Sequence, residues 1–325
     1  MKKISVIVPV YNVANYLESC LESIRDQDFE DYEVILVEDG STDESRQIAE
    51  EFVAKNDDKF RLIYQANKGL SGARNTGLQH ADAEYICFVD SDDTVEKNYL
   101  SSLYQIAHGR NADMVFCAFR SVTEQGEWIR DYRENDIIPN KLYNLRDNKE
   151  LFLIQNAAWN KLYRKALLEK HDLLFTEGVW YEDLRFTKKY LMIAEKCVYC
   201  DEVLYNYRQR SGSIMNSMKS ERNIEILDAL SEVEAFFAQC GELENYREEI
   251  EILAIDHIYI SALVRLIRSN EMAQVKNIRE EMIKRYPNFK SNKYVKKLEK
   301  NRQVIFHLLN MKCYWAVKLI FMVKG

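Results

Sequence analysis

The chain has 325 residues, 47% of them apolar and 30% charged, with only 3 Pro and 10 Gly. That composition supports a substantial core in one large or two ordinary domains, and it excludes collagen-like, low-complexity and turn-rich all-β chains. The net charge of −7 conceals an asymmetry: residues 276–325 hold 13 Lys and Arg against 3 Asp and Glu, net +10, and the first 275 hold 32 against 49, net −17.

Lys2 and Lys3 lead at once into the apolar run Ile4–Val10, too short for a secretory h-region and without a cleavage site, so no targeting segment is expected. The first 120 residues then alternate strand and helix. Val13–Arg25 carries helical periodicity, Glu33–Val37 reads as a second strand and Ser45–Ala54 as a second helix. Arg61–Tyr64 is a third strand, Ser71–Gln79 a third helix, Tyr85–Val89 a fourth strand, Val95–His108 a helix and Asp113–Phe119 a strand. Uninterrupted apolar runs mean strands covered on both faces, and the βαβ spacing predicts an α/β fold with a mostly parallel sheet. Ligands of such sheets sit outside the carboxyl ends of the strands. Residues 122–147 read as an irregular excursion, followed by helices at Lys161–Lys170 and Tyr181–Ala194 and short strands at Cys197–Cys200 and Leu204–Tyr207. Beyond Glu221 four or five helices are expected. The predicted domains are 1–218, with halves 1–120 and 121–218, and a helical 219–325. The seven cysteines, odd in number and mostly within apolar runs, suit reduced thiols in a cytoplasmic protein. Cys197-Val-Tyr-Cys200 reads as strand rather than as a zinc or redox site, because no second Cys or His pair follows. No stretch of eighteen apolar residues is free of charge, so no ordinary transmembrane helix is expected.

Two βα junctions carry acid clusters. Strand two ends in Val37-Glu38-Asp39-Gly40-Ser41-Thr42-Asp43, and strand four in Val89-Asp90-Ser91-Asp92-Asp93. Ser41 to Asp43 read as a helix cap with an acidic first turn, which leaves Glu38 and Asp39 unexplained. Carboxylates crowded at Asp90, Asp92 and Asp93 repel one another, and a divalent cation relieves that; Mg²⁺ and Mn²⁺ take such oxygen donors together with water and substrate phosphates. In an extended Asp90-Ser91-Asp92 the carboxylates alternate faces, one toward a sugar and one toward the metal. Asn67-Lys68-Gly69-Leu70-Ser71-Gly72-Ala73-Arg74-Asn75 lies between these strands. It reads either as a glycine turn before an ordinary helix or as a close approach to a phosphate or base, with Arg74 one turn inside.

In combination these blocks resemble glycosyltransferase family 2, of the GT-A fold. The matching motifs are Val8-Pro9-Val10-Tyr11-Asn12, Glu38-Asp39-Gly40-Ser41-Thr42-Asp43, Asn67-x-Gly69 with Ala73-Arg74-Asn75, and Asp90-Ser91-Asp92-Asp93, and the resemblance covers roughly residues 3–215. Glu38 departs from it, since family members more often have Asp or Asn there. The resemblance implies a nucleotide-sugar donor, most often uridine diphosphate linked, held by Pro9, Val10, Tyr11, Glu38, Asp39, Asn67, Gly69 and Ser91. Arg74 would lie near the base, Asp90 on the ribose or donor sugar, and Asp92 on the metal. It also implies a Glu-Asp pair, here Glu182-Asp183, whose Asp is the general base of inverting members, with Glu182 orienting it or meeting the acceptor. The other reading of that pair is the acidic first turn of a helix.

Displacement at an anomeric carbon needs a base for the acceptor hydroxyl and stabilisation of the departing diphosphate, which a Lewis-acid metal supplies. Trp159 and Trp180 suit an acceptor-side sugar platform or, equally, a core position. Tyr207-Arg208-Gln209-Arg210-Ser211-Gly212-Ser213 reads as a basic loop able to close over the diphosphate through Arg208 or Arg210. At the basic end, Val304–Val323 reads as a helix apolar on nearly all sides. It belongs in a bundle or subunit interface, or at an anionic membrane surface with Trp315 and Phe321 inserted. No nucleic-acid module accompanies the charge. The function expected is thus an inverting, metal-dependent glycosyltransferase acting on a saccharide acceptor, either free in the cytoplasm or peripheral at the inner face of the cell membrane. The alternative is a catalytically silent nucleotide-sugar-binding protein acting through its helical tail. A dehydrogenase is excluded because strand one leads into Pro-Val-Tyr-Asn rather than Gly-x-Gly-x-x-Gly.

Overall fold

A computed structural model describes residues 2–210 and 225–322. The chain divides into two compact units, Met1–Ser217 and Met218–Gly325. The boundary expected at 218, like Ser211, Gly212 and Ser213 of the basic loop, lies outside the described residues.

The first unit is built on one ten-stranded sheet of order β3-β2-β1-β4-β9-β6-β10-β5, with β7 on β6 and β8 on β10. Its parallel half follows from three βαβ steps. β1 (Ile4–Val10) is buried at every residue, and β2 (Tyr32–Glu38), β3 (Phe60–Tyr64) and β4 (Tyr85–Phe88) run alongside it. Helices α1 (Ala14–Arg25), α2 (Ser45–Lys55) and α3 (Gly69–His80) make the crossovers. α1 buries Leu17, Cys20, Leu21 and Ile24, the single apolar stripe of a surface helix. The register aligns the carboxyl ends: Val10 pairs with Glu38, the Asp39 amide donates to the Val10 carbonyl at 2.9 Å, and the Val89 amide to that of Ile7 at 3.0 Å. Both acid clusters therefore emerge at one edge of the sheet.

The far half is mixed. β9 (Lys161–Arg164) runs antiparallel between β4 and β6 (Met114–Val122). β10 (Cys197–Arg208) runs parallel to β6, while β5 (Thr94–Val95), β7 (Trp128–Tyr132) and β8 (Leu142–Tyr143) are antiparallel ribbons. Three sequence readings change here. Residues 161–164 are strand, and helix α5 is only Lys165–Lys170. Val95 belongs to β5, paired with Tyr205, and helix α4 begins at Tyr99 and ends at Arg110. The two short strands at 197–207 are one, β10, with register shifts between Cys200 and Tyr205. Each concerns a run of two to four residues, too short for periodicity to separate strand from helix turn; pairing with a distant strand decided them. Helix α6 (Glu182–Ile193) completes the unit.

The second unit holds α7 (Glu225–Gln239), α8 (Arg247–Ala254), a π-helical stretch Ile255–Ala262 running on into α9 (Leu263–Arg268), and α10 (Met272–Arg285). The expected single helix 304–323 is instead two, α11 (Lys300–Asn310) and α12 (Tyr314–Met322). The break is a Schellman turn: Lys312 takes φ 59°, its amide donates to the Leu309 carbonyl and that of Cys313 to Leu308. Three cations of the basic segment are paired inside this unit. Arg285 pairs with Glu234 at 2.6 Å, Lys293 with Glu248 and Glu249, and Arg302 with Asp256. Among the described residues no helix is long and apolar enough to cross a membrane.

α3 lies close on the sheet because Gly77 faces β1. A Cβ there would stand 2.3 Å from Ile7 Cγ2 and 3.1 Å from Cγ1, so rotating Ile7 does not clear it. Gly77→Ala gains about 1 kcal/mol of helix propensity and loses about 1–3 kcal/mol to overpacking. We expect a lower melting temperature; a raised one would show that the contact is not made.

Candidate active site

At the ends of β1 and β2 the two βα junctions cap one another. The Asn12 side chain accepts from the Thr42 amide at 2.8 Å, Ser45 Oγ from the Val13 amide at 2.8 Å, and Asp43 from the amides of Ala14 and Ser45. Asp43 thus caps α1, its neighbour in space, as well as the start of its own helix. Glu38 is buried and accepts from the Ser41 amide. Asp39 is buried too, and its Oδ1 accepts from Gln65 Nε2 at 2.6 Å and the Lys68 amide at 2.8 Å. Gly40, at φ 75°, lets the backbone of Asn67 come close; a Cβ would sit 3.2 Å from its nitrogen. Pro9 and Val10 are buried in β1, whereas Tyr11 (46% exposed), Asn67 and Gly69 face outward. The residues expected around a nucleotide therefore share one rim.

Asp90 to Asp93 are not extended, as the alternation reading required. They form a turn closed by the Asp93 amide on the Asp90 carbonyl at 3.0 Å. The acids separate into different roles. Asp93 is buried and accepts from Tyr205 Oη at 2.8 Å and the Arg208 amide at 2.7 Å, and burial, then Asp92 and Asp90, push its carboxyl well up. Asp92 meets Arg210 Nε at 2.5 Å, and burial followed by the charge of Asp90 raises its pKa. Ser91 is buried. Arg208 Nε donates to the Asp92 carbonyl at 3.0 Å, and both arginines lie over the Tyr16 ring, whose hydroxyl donates to Glu124.

Arg74 joins this turn to α6. It is fully buried, its guanidinium 5.9 Å from the ring centre of Phe88 and 5.2 Å from that of Phe175. Nη2 donates to Asp90 at 2.8 Å, Nη1 to Asp183 at 2.5 Å, and Glu182 lies 3.7 Å away. The expectation that Arg74 faces a base is thus corrected: it lies on the buried face of α3, and its neighbours are three carboxylates. Asp183 Oδ2 also accepts from the Ala158 amide at 3.2 Å. Burial raises the pKa of Asp183, with Arg74 opposing and Asp90 adding to it; burial and then Asp183 push Glu182 up to about 7. Glu182 and Asp183 form the acidic first turn of α6, as the helix-turn reading of the pair expected.

Trp180 is partly buried, and its carbonyl accepts from Arg185 at 2.6 Å. Trp159 is a core residue, 6% exposed, its ring stacked on Tyr205 at 4.3 Å and on Tyr207 at 5.5 Å and edge-on to Phe119. Its platform reading is withdrawn. Sequence reasoning missed Gln65, Ala158 and Phe175. Gln65 stands two residues before the noted Asn67, but nothing local marks the other two.

Among the described residues no three Cys, His, Asp or Glu side chains cluster as a cation cage. Asp92 fits a divalent cation differently: it is a hard oxygen donor on an acid-rich turn, largely buried, and its carboxylate already attracts the cationic Arg210. It suits a cation shared with a ligand's phosphates.

A mixed α/β sheet with acid clusters gathered at its carboxyl-end edge is the GT-A arrangement. Residues 5–172 match the family described as glycosyl transferase family 2. The chain is 34% identical over 267 residues to the putative glycosyltransferase EpsH of Bacillus subtilis, covering 80% of this chain and 76% of that one. It is 37% identical over 265 residues to glycosyltransferase GlyA of Streptococcus pneumoniae, covering 77% of this chain but only 37% of GlyA, whose length it spans by little more than a third. Among solved structures, Staphylococcus aureus TarS 1–349 in complex with UDP superposes with a TM-score of 0.72 at 21% identity, covering 99% of this chain and 92% of that one. The chain belongs to glycosyl transferase family 2.

Arg74→Met leaves Asp183 and Asp90 without their shared cation, which costs about 3–5 kcal/mol for a broken buried pair. Asp183 then loses the charge that lowers its pKa, so the penalty is full at high pH and shrinks as falling pH protonates it. Thermal melts at pH 8 and pH 5 should show the larger loss at pH 8; equal losses would count against the ion pair.

Proposed function

We propose that the chain is an inverting, metal-dependent glycosyltransferase that moves a sugar from a uridine-diphosphate donor to a saccharide or glycoconjugate acceptor. The observation that carries this is the single guanidinium of Arg74 holding Asp90, on the strand-end turn, and Asp183, at the start of α6. It puts a carboxylate with raised proton affinity beside the turn where a donor's diphosphate is expected. TarS, a relative whose structures include complexes with UDP and with UDP-GlcNAc, supports a uridine donor. The mannosyltransferase PcManGT, in complex with GDP-Man and Mn²⁺, supports a metal.

In this reading Pro9, Val10, Tyr11, Asp39, Asn67 and Gly69 line the nucleoside rim, with Glu38 shaping the turn beneath. Asp90 and Ser91 meet the ribose or donor sugar. Asp92 holds Mn²⁺ or Mg²⁺, which when bound supplies Lewis-acid neutralisation of the departing diphosphate. Arg208 and Arg210 add positive charge at that end. Asp183 accepts the proton of the attacking hydroxyl, and Glu182 and Trp180 lie toward the acceptor.

A base must be ionised. Burial raises the Asp183 pKa, so the acid limb of kcat/KM is expected above the ordinary carboxylate range. Asp183→Asn should abolish transfer while sparing the thermal shift given by UDP-sugar; Asp92→Ala should abolish the Mn²⁺ dependence of that shift. Transfer retained by both variants would overturn the assignment.

For the second unit we favour contact with an anionic bilayer at the inner face of the membrane. Trp315 (69% exposed) and Leu319 (49% exposed) stand one turn apart on α12, and the exposed Lys296, Lys300 and Lys312 supply complementary charge. Vesicles of phosphatidylglycerol should co-sediment the full chain, and Trp315→Glu should reduce this. Unchanged sedimentation, or a concentration-dependent dimer lost in Trp315→Glu, would reject the bilayer.

A further inference from the structure

Residues 149–153 form a short 3-10 turn, and the segment that follows reaches β9 with its carbonyls directed inward rather than into a ladder. Three side chains collect them. Lys188 Nζ donates to the carbonyls of Phe152 at 2.5 Å and Ile154 at 3.0 Å, with the Phe152 ring 5.1 Å away. Thr187 Oγ1 donates to Asn156 at 2.7 Å. Lys161 Nζ donates to Gln155 at 2.9 Å, to Ala157 at 2.6 Å and to the Asn160 side chain at 2.6 Å. Five carbonyls between 152 and 157 are thus held by one residue of β9 and two of α6, and the next amide, that of Ala158, donates to Asp183 Oδ2.

Both lysines are completely buried. A buried ammonium costs several kcal/mol unless hydrogen bonds replace its water. Burial lowers Lys161 to about 8 and Lys188 to about 7, with the charge of Glu134 working against that on each. Glu134 is tied to the same segment, accepting from the Gln155 amide at 2.9 Å. A fold needing only to fill this space would use apolar side chains. Two ammonium groups make sense where several carbonyls must be fixed at once and where positive charge near Asp183 is useful.

We propose that Lys161 and Lys188 are positioning residues for the transfer reaction: by holding the carbonyls of residues 152–157 they fix the Ala158 amide on Asp183 and so set that carboxylate's orientation and proton affinity. Helix α6 carries Asp183 in its first turn and Thr187 and Lys188 in its second, so base and loop share one rigid element. Neither lysine hydrogen-bonds to the Asp39 or Asp90 side of the site. The proposal rests on Asp183 being the base.

The test uses the full chain with Mn²⁺ and whichever of UDP-glucose, UDP-galactose and their N-acetylamino forms gives the largest thermal shift; the readout is release of UDP. Lys161→Met and Lys188→Met should each lower kcat at least tenfold and leave the donor KM within about twofold. Lys161→Met also removes a positive charge that favours the Asp183 carboxylate, so its acid limb should move to higher pH. Hydrogen exchange of residues 152–158 should speed up in both. Thr187→Val, nearly isosteric and charge-neutral, should lower kcat severalfold without moving the acid limb, and it decides the matter if the lysine variants do not fold. A loosened segment with wild-type kcat and acid limb would reduce the lysines to structural residues and overturn the proposal, as would wild-type kcat in Thr187→Val. Asp183→Asn runs in parallel: if it retains UDP release the base assignment itself fails, whereas an inactive Asp183→Asn beside wild-type lysine variants rejects only the positioning role.

Discussion

Burying a guanidinium against two phenylalanine rings is costly unless carboxylates surround it, and the site is organised around that requirement at Arg74. Its two terminal nitrogens fix the spacing between the Asp90 turn and the first turn of α6. A lysine, with one ammonium centre, does not span two carboxylates with that planar geometry. The sheet sets where α3 lies, α3 sets where the guanidinium lies, and the guanidinium sets where Asp183 lies. Close packing of α3 on β1 at Gly77 is therefore part of the same constraint.

The carboxylates divide by what meets them. Asp93 is consumed by Tyr205 and the Arg208 amide and holds the turn; Asp90 gives one oxygen to Arg74; Asp92 is the one turned toward the arginines above Tyr16. The aromatic core supports both sides. Phe175 stacks on Phe186 at 3.9 Å beneath the guanidinium, and Trp159 fills the space against β10. On the far side of Asp183 the need is reversed: inward-facing carbonyls require donors, and Lys161, Thr187 and Lys188 supply them. Carboxylates around a buried cation and carbonyls around two ammonium groups thus meet at one side chain.

The opening charge asymmetry also changes meaning. Of the thirteen cations of residues 276–325, Arg285, Lys293 and Arg302 are answered within their own unit, by Glu234, Glu248, Glu249 and Asp256. The apolar character of the last helices is also incompletely answered. The turn at Lys312 divides them, and Trp315 and Leu319 remain exposed.

Strand and helix alternation, the two acid junctions and the Glu-Asp pair were legible in the amino-acid order, because buried parallel strands read as unbroken apolar runs and strand ends follow from them. Short elements were not: β5 and β9 exist only through hydrogen bonds to β10, β4 and β6. Nor were the pairings. Arg74 and Asp183 are 109 residues apart, and Ala158 has no polar side chain to announce a role. Sequence by itself determined which chemical groups stand at the carboxyl edge of the sheet. Tertiary structure alone decided which carboxylate faces a cation, which is spent on the turn, and whether Trp159 is platform or core, because each depends on neighbours that only the closed sheet brings within a few ångströms.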